Sequence, residues 1–100
     1  MQEVSPAATV NRLDAVQIVD VREDNEVAAG MIPGAVHIPL GELSTRLAEL
    51  DSARETITVC RSGRRSLDAA QVLTDEGFNV ASMRGGMNQW SAENHPVTAP

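Results

Sequence analysis

The fold of this chain is decided by the stretch TITVCRSGRRSL, residues 56–67. Its first part, Thr56 to Cys60, is rich in β-branched side chains and predicts a buried strand. The polar segment after Cys60 contains a glycine and predicts a loop. The residues from Ser66 to Glu76 predict the longest helix, because their apolar side chains recur on one stripe, and Gly77 follows as its stop. The stretch therefore encodes a strand, a loop and a helix in direct succession.

Outside this stretch, short β-branched runs alternate with helical segments. Strands are predicted over residues 16–21, 36–38 and 78–82, and helices over residues 5–13, 23–29, 41–50 and 86–91. The tail after about Ala92 is predicted to be loose. The alternation implies βαβ crossovers, so we predict an α/β fold with a small, mainly parallel sheet of about five strands flanked by helices. Ligand sites in such sheets form outside the carboxyl ends of the strands, where Cys60 lies.

Length and charge narrow the classes of function. One hundred residues predict a single domain over residues 1–100. The net charge of −6 argues against a nucleic-acid partner, which needs a basic surface. All eight cationic side chains are arginine, and three of them lie between Arg61 and Arg65. An acidic chain that concentrates its cations in one loop indicates a local anion site, although an exposed charged turn has the same composition.

The single cysteine, Cys60, restricts the chemistry further. It excludes an internal disulfide, a Cys-x-x-Cys redox pair and a zinc site made of several cysteines. No stretch approaches the roughly 20 apolar residues that span a bilayer, so no membrane partner is predicted. The first residues lack the pattern of a signal peptide, and we expect a cytoplasmic location. Cys60 is then either a buried core thiol or a reactive one.

The loop after Cys60 favours the reactive alternative. Successive backbone N–H groups in a glycine-containing loop can form a nest that binds an anion, and the start of a helix adds unsatisfied donors. A thiolate held there has a lowered pKa and is a better nucleophile. We expect Gly63 to adopt a positive φ. The three arginines do not all fit inside the nest, so we expect Arg64 or Arg65 to face solvent or to pair with a carboxylate.

Four segments of the sequence resemble the rhodanese family, in the order and at the spacings of that family. They are the strand end Asp20-Val21-Arg22, the segment Gly30-Met31-Ile32-Pro33-Gly34-Ala35, the loop from Cys60 to Ser66, and the segment Gly85-Gly86-Met87-Asn88-Gln89-Trp90. Met31 stands where the family usually has a histidine, and we interpret that difference as structural. The resemblance covers nearly the whole chain.

The resemblance implies a sulfurtransferase with Cys60 as its catalytic residue. The loop residues Arg61, Ser62, Gly63, Arg64, Arg65 and Ser66 would form the substrate-binding site. The thiolate would take a sulfur atom from a small sulfur-donor anion such as thiosulfate and hold it as a persulfide. It would then pass the sulfur to a thiol, to the cysteine of a protein or, in the test tube, to cyanide. No metal or organic cofactor is required.

Two other functions remain as alternatives. The related phosphatases and arsenate reductases imply a Cys-x5-Arg loop, whereas the spacing from Cys60 to Arg65 is Cys-x4-Arg, which suits one sulfur atom better than phosphate. A non-catalytic interaction module of the same fold is the second alternative, and the intact loop disfavours it. For Asp20 and Arg22 we favour an ion pair that braces the loop over direct contact with the substrate, and Glu26 is either a further partner of Arg22 or a solvated helix residue.

Overall fold

The computed structural model describes residues 2–100, and within them five parallel strands form one sheet. The strands are β1 (Glu3–Val4), β2 (Gln17–Asp20), β3 (Val36–His37), β4 (Thr56–Val59) and β5 (Val80–Met83), in the spatial order β1-β5-β4-β2-β3. The predicted α/β fold is confirmed. Because every pair is parallel, the carboxyl ends of β2, β4 and β5 meet at one edge of the sheet.

Four α-helices pack on this sheet within the described residues: α1 (Pro6–Val10), α2 (Asp24–Val27), α3 (Arg65–Asp75) and α4 (Gly86–Ala92). The start of α1 follows the prediction, because the Ser5 side chain accepts a hydrogen bond from the Ala8 N–H and Pro6 occupies the first turn. The end of α3 also agrees with the prediction, because Gly77 follows the helix and adopts a φ of +89°.

The prediction of one helix over residues 41–50 is wrong. Two 3-10 helices occupy this region, Leu40–Thr45 and Leu47–Glu49, separated by Arg46 with a φ of −121°. The Arg46 guanidinium binds carboxylates on both sides, Glu42 and Glu49. The glycine at the start of the segment disfavours a continuous α-helix, and the non-helical φ of Arg46 separates the two 3-10 helices.

The ends of the described chain are more ordered than the sequence indicates. Strand β1 was not predicted, because two residues show no periodicity, yet it pairs with β5. The tail is not loose: Thr98 exchanges backbone hydrogen bonds of 2.8 and 2.9 Å with Met31, and the Trp90 indole donates to the Pro96 carbonyl at 2.8 Å. A fully buried indole needs such an acceptor, which ties down the chain that supplies it.

Apolar side chains fill both faces of the sheet. One cluster includes Val19, Cys60, Leu73 and Leu43 beneath α3 and the first 3-10 helix, and the other includes Ile57, Met83 and Trp90 beneath α1 and α4. Burial on both faces explains why all four side chains of the central strand β4 are β-branched. No helix found within residues 2–100 has both the length and the apolar character to cross a bilayer.

Candidate active site

Cys60 lies directly after the central strand β4, at the edge where the carboxyl ends of the strands meet. The residue is 1% exposed. Its Sγ atom accepts a hydrogen bond of 3.0 Å from the Gly63 N–H and lies 3.4 Å from the Ser66 hydroxyl in the first turn of α3. The loop thus curls back over the sulfur that precedes it, as a nest does.

Two glycines make this curl sterically feasible. Gly63 has a φ of +102°, as predicted, and a Cβ atom there would lie 3.1 Å from the Gly85 nitrogen. Gly86 has a φ of +56°, and a Cβ atom there would collide with the carbonyl oxygens of Cys60 and Arg61. These carbonyls accept hydrogen bonds of 2.8 Å from the Met87 N–H and 2.9 Å from the Asn88 N–H. The first turn of α4 therefore anchors the loop from outside.

The surroundings of Cys60 lower the pKa of its thiol. Burial is the largest influence and raises the pKa, but several hydrogen bonds act in the opposite direction. They come from the Ser66 hydroxyl and from the backbone N–H groups of Ser66, Gly63 and Ser62. Together they outweigh burial, because hydrogen bonds to the charged form favour ionisation. The surroundings of Cys60 therefore favour the thiolate more than those of an ordinary cysteine do.

The three loop arginines separate into two kinds. Arg65 forms a bidentate ion pair with Glu26 of α2, at 2.6 and 2.8 Å, which confirms that one of the loop arginines pairs with a carboxylate. This partner lowers the pKa of Glu26 to about 2. Arg61 and Arg64 are exposed, as is Ser62 between them. Within residues 2–100, neither of these two arginines forms an ion pair, so neither guanidinium is already bound to a carboxylate of the chain.

Asp20 and Arg22 form the predicted ion pair at the end of β2, and both side chains are buried. Arg22 Nη2 lies 2.8 Å from Asp20 Oδ2, and the guanidinium also donates to the carbonyls of Gly30 and Glu26. The expected role of Glu26 needs correction: it offers its backbone carbonyl to Arg22, while its carboxylate holds Arg65. Arg22 is therefore connected to the loop through Glu26 of α2, which binds Arg22 with its carbonyl and Arg65 with its carboxylate.

One polar residue next to the thiol escaped the sequence analysis. Ser82, in the middle of β5, is fully buried, and its hydroxyl oxygen lies 2.7 Å from that of Ser66. The available signal was a serine inside a short strand that is otherwise apolar. The serine can be assigned to the site only once the register of the sheet is known. In that register Ser82 pairs with Thr58, two residues before Cys60.

An open groove of about 420 Å³ runs beside the loop, between α2 and α4. Asn25, Arg61 and Asn88 contribute polar groups to its walls, and Met87 contributes an apolar one. Cys60 itself is not part of the lining. Within residues 2–100, no cluster of three or more His, Cys, Asp or Glu side chains could hold a metal ion. The groove offers room for a small anion or an extended chain next to Arg61.

Comparison with known proteins gives a consistent result. Residues 5–93 match the family model described as Rhodanese-like domain. YtwF of Bacillus subtilis is 40% identical over 99 residues, which cover 96% of this chain and 96% of YtwF. Thiosulfate sulfurtransferase GlpE of Shewanella oneidensis is 34% identical over 92 residues, 91% of each chain. A solved rhodanese-related protein from Thermoplasma volcanium superimposes with a TM-score of 0.93 at 28% identity, covering 98% of both chains.

Proposed function

Since the chain belongs to the rhodanese-like domain family, we propose that it is a sulfurtransferase in which Cys60 carries a sulfur atom as a persulfide. The observation that carries this proposal is the geometry around Sγ. A sulfur at the end of the central strand accepts the Gly63 N–H at 3.0 Å, and the loop that follows it carries two exposed arginines, Arg61 and Arg64. A buried thiol that only filled space would need neither feature.

In the first half of the reaction, the Cys60 thiolate attacks the outer sulfur of thiosulfate. A bond forms between Sγ and that sulfur, while the sulfur–sulfur bond of the donor breaks and its electron pair leaves with sulfite. The products are Cys60–S–S⁻ and sulfite, so the total charge is unchanged. The donors that lower the thiol pKa also stabilise the persulfide anion, because they point at the place where the charge resides.

Two features favour a sulfane donor such as thiosulfate. With Cys60 only 1% exposed, a narrow terminal sulfur atom reaches Sγ more easily than the centre of a tetrahedral phosphate, which is shielded by its oxygens. Arg61 follows Cys60 directly and is exposed, so its guanidinium can offer a planar pair of donors to the leaving sulfite. The name of the Shewanella relative, a thiosulfate sulfurtransferase, agrees with this choice.

In the second half, the thiolate of an acceptor attacks the outer sulfur of the persulfide. The new sulfur–sulfur bond forms on the acceptor, and Cys60 leaves as the thiolate that began the cycle. One cysteine suffices because the acceptor supplies the second nucleophile. The groove beside Arg61 gives a small thiol, or the segment around a protein cysteine, room to approach.

The proposal is tested by weighing the intact protein after incubation with thiosulfate and removal of the excess donor. We expect a gain of one sulfur atom, about 32 Da, that cyanide removes and that is absent from Cys60→Ser. The matched control is Ser52→Ala, which changes an exposed serine before β4 and keeps the thiol and its loop, and which should still gain the sulfur. A wild-type protein that gains no mass from thiosulfate or from any other sulfane donor would refute the function.

A further inference from the structure

We propose that Ser82 is a positioning residue, whose hydroxyl holds the Ser66 hydroxyl in the orientation that donates a hydrogen bond to Cys60 Sγ. Three elements contribute to this chain of groups: the end of β4, the first turn of α3 and the middle of β5. The distances are 3.4 Å from Sγ to the Ser66 oxygen and 2.7 Å from there to the Ser82 oxygen. The role assigned to Ser82 rests on the proposed function of Cys60 as a nucleophile.

The burial of Ser82 is the first argument. Its side chain is fully buried in a strand whose four residues are all buried, where alanine or valine would pack without a polar group. A buried hydroxyl is unfavourable unless it forms a hydrogen bond. The partner recorded for this hydroxyl is Ser66, and the sheet uses only the backbone of Ser82. The hydroxyl thus serves the Ser66 contact rather than the strand.

The direction of the hydrogen bonds is the second argument. A neutral Cys60 thiol donates to the Ser66 oxygen, which leaves the Ser66 proton free to point at Ser82. A thiolate accepts hydrogen bonds and donates none, so Ser66 must turn its proton towards the sulfur. Either oxygen of the serine pair can be the donor, so Ser82 can then donate to Ser66. Ionisation of Cys60 therefore reverses both bonds, and Ser82 supplies the partner in each state.

This reversal favours the ionised state. Hydrogen bonds to a charged acceptor are roughly twice as strong as neutral ones, and each bond in a series strengthens the next by about 10–30%. When Cys60 is a thiolate, the hydrogen bonds from Ser82 to Ser66 and from Ser66 to Sγ gain from the charge and from mutual polarisation. When Cys60 is a thiol, the two bonds gain only from polarisation. Removing the Ser82 hydroxyl should therefore hinder ionisation of Cys60, although Ser82 is connected to the sulfur only through Ser66.

The test is the pKa of Cys60 in the resting protein, measured from the far-ultraviolet absorbance of the thiolate as a function of pH. The sequence contains one cysteine and no tyrosine, so the signal belongs to Cys60 without interference from a phenolate. We expect Ser82→Ala to raise the pKa by about 0.5 and Ser66→Ala, which loses the direct donor, to raise it by about 1 to 2. An unchanged pKa in Ser82→Ala would overturn the proposal.

The matched control is Thr58→Val. The Thr58 hydroxyl is buried at the same place, but it donates to the backbone carbonyl of Ser66 at 2.7 Å and not to its side chain. Thr58→Val should lower the free energy of unfolding and leave the pKa of Cys60 unchanged. A rise equal to that of Ser82→Ala would show that any lost buried hydroxyl disturbs the thiol, and would refute a specific role for Ser82.

Two further variants separate positioning from packing. In a Ser66→Ala background, Ser82→Ala should change the pKa by less than about 0.2, because its effect passes through the missing hydroxyl. Ser82→Thr keeps the hydroxyl and should hold the pKa near that of the wild type, whereas a rise like that of alanine contradicts the proposal. Because these measurements need no sulfur donor, they succeed or fail independently of the mass test for the persulfide.

Discussion

Two buried polar clusters lie at opposite ends of the same central strands, and they are built differently. At the amino end, the Gln17 amide donates to Thr56 Oγ1 and to the Asp51 carbonyl and accepts the Asp51 N–H at 2.9 Å. At the carboxyl end, hydrogen bonds connect Ser82 and Ser66 to the sulfur of Cys60. The first cluster consists of groups that stay neutral, and the second ends on an atom that ionises.

The difference teaches how one sheet separates stability from reactivity. A neutral amide bound to backbone groups has one favoured arrangement, so the Gln17 cluster fixes the segment around Asp51 to the sheet. The serine hydroxyls can each donate or accept, so the cluster at the other end accommodates two charge states of one sulfur. Substitutions at the amino end should therefore affect folding alone, while those at the carboxyl end should also affect the thiol.

The largest loss of stability is expected from the charged pair at the carboxyl end. Asp20→Asn leaves the Arg22 guanidinium buried without a counter-charge and should lower the free energy of unfolding by about 3–5 kcal/mol, measured by urea denaturation. The control is Glu55→Gln, which breaks the exposed pair with Arg12 near the amino end and should cost less than about 1 kcal/mol. Equal losses in the two variants would remove the contrast between the two ends.

A smaller effect is expected from the amino-end cluster. Gln17→Met keeps the length of the side chain but removes its hydrogen bonds, which should lower the free energy of unfolding by about 1–3 kcal/mol. The pKa of Cys60 should stay unchanged, and this second measurement sharpens the comparison. The exposed residue Gln71 offers a control, since Gln71→Met should alter stability by less than about 0.5 kcal/mol. A shifted thiol pKa in Gln17→Met would mean that the two clusters communicate.

The smallest effect should come from the ion pair between Glu26 and Arg65, which is partly exposed. The hydrogen bond from Arg65 is the main cause that lowers the pKa of Glu26 from 4.5 to about 2. The stabilisation by this ion pair is therefore complete above the pKa that Glu26 has in the unfolded protein. It is lost as the pH falls through the pKa that Glu26 has in the folded protein. Glu26→Gln should lower the free energy of unfolding by about 1–2 kcal/mol at pH 7, and the difference should shrink steadily between pH 5 and pH 2.

The measurement for Glu26→Gln is a series of denaturation curves between pH 7 and pH 2, with the exposed carboxylate of Glu76 as the control. Glu76→Gln should change stability by less than about 0.5 kcal/mol throughout this range. A difference between wild type and Glu26→Gln that persists unchanged at low pH would show that Glu26 acts through packing or through its backbone, and not through its charge.

The local parts of the site could be predicted from the sequence, and the long-range parts could not. The β-branched run before Cys60 and the apolar stripe after it encode a strand and a helix, so the loop between them follows, and Gly63 supplies the positive φ that such a curl requires. Ser82 and Glu26 join the site across 16 and 39 positions of sequence separation from their partners. Nothing in a single sequence indicates which serine or which carboxylate will be in register.

The same limit explains the errors in the fold. A two-residue strand such as β1 exists because β5 offers it a partner, and the tail is ordered because Trp90 and Met31 bind its backbone. These contacts come from tertiary structure and leave no local pattern. In the region after Pro39 a local pattern is present but misleading. Regularly spaced leucines indicate one α-helix, whereas the structure has two 3-10 helices separated by Arg46.

The pairing of β1 with β5 has a consequence for synthesis on the ribosome. Glu3 lies beside Ser82 in the sheet, so the first strand waits for its partner until residues 82 and 83 have emerged. The loop around Cys60 waits even longer, because the amides of Met87 and Asn88 bind its carbonyls. Until then Cys60 is an ordinary cysteine in an unfinished chain. The nascent protein therefore completes the surroundings of the Cys60 thiol late, when most of the fold that shields it is already available.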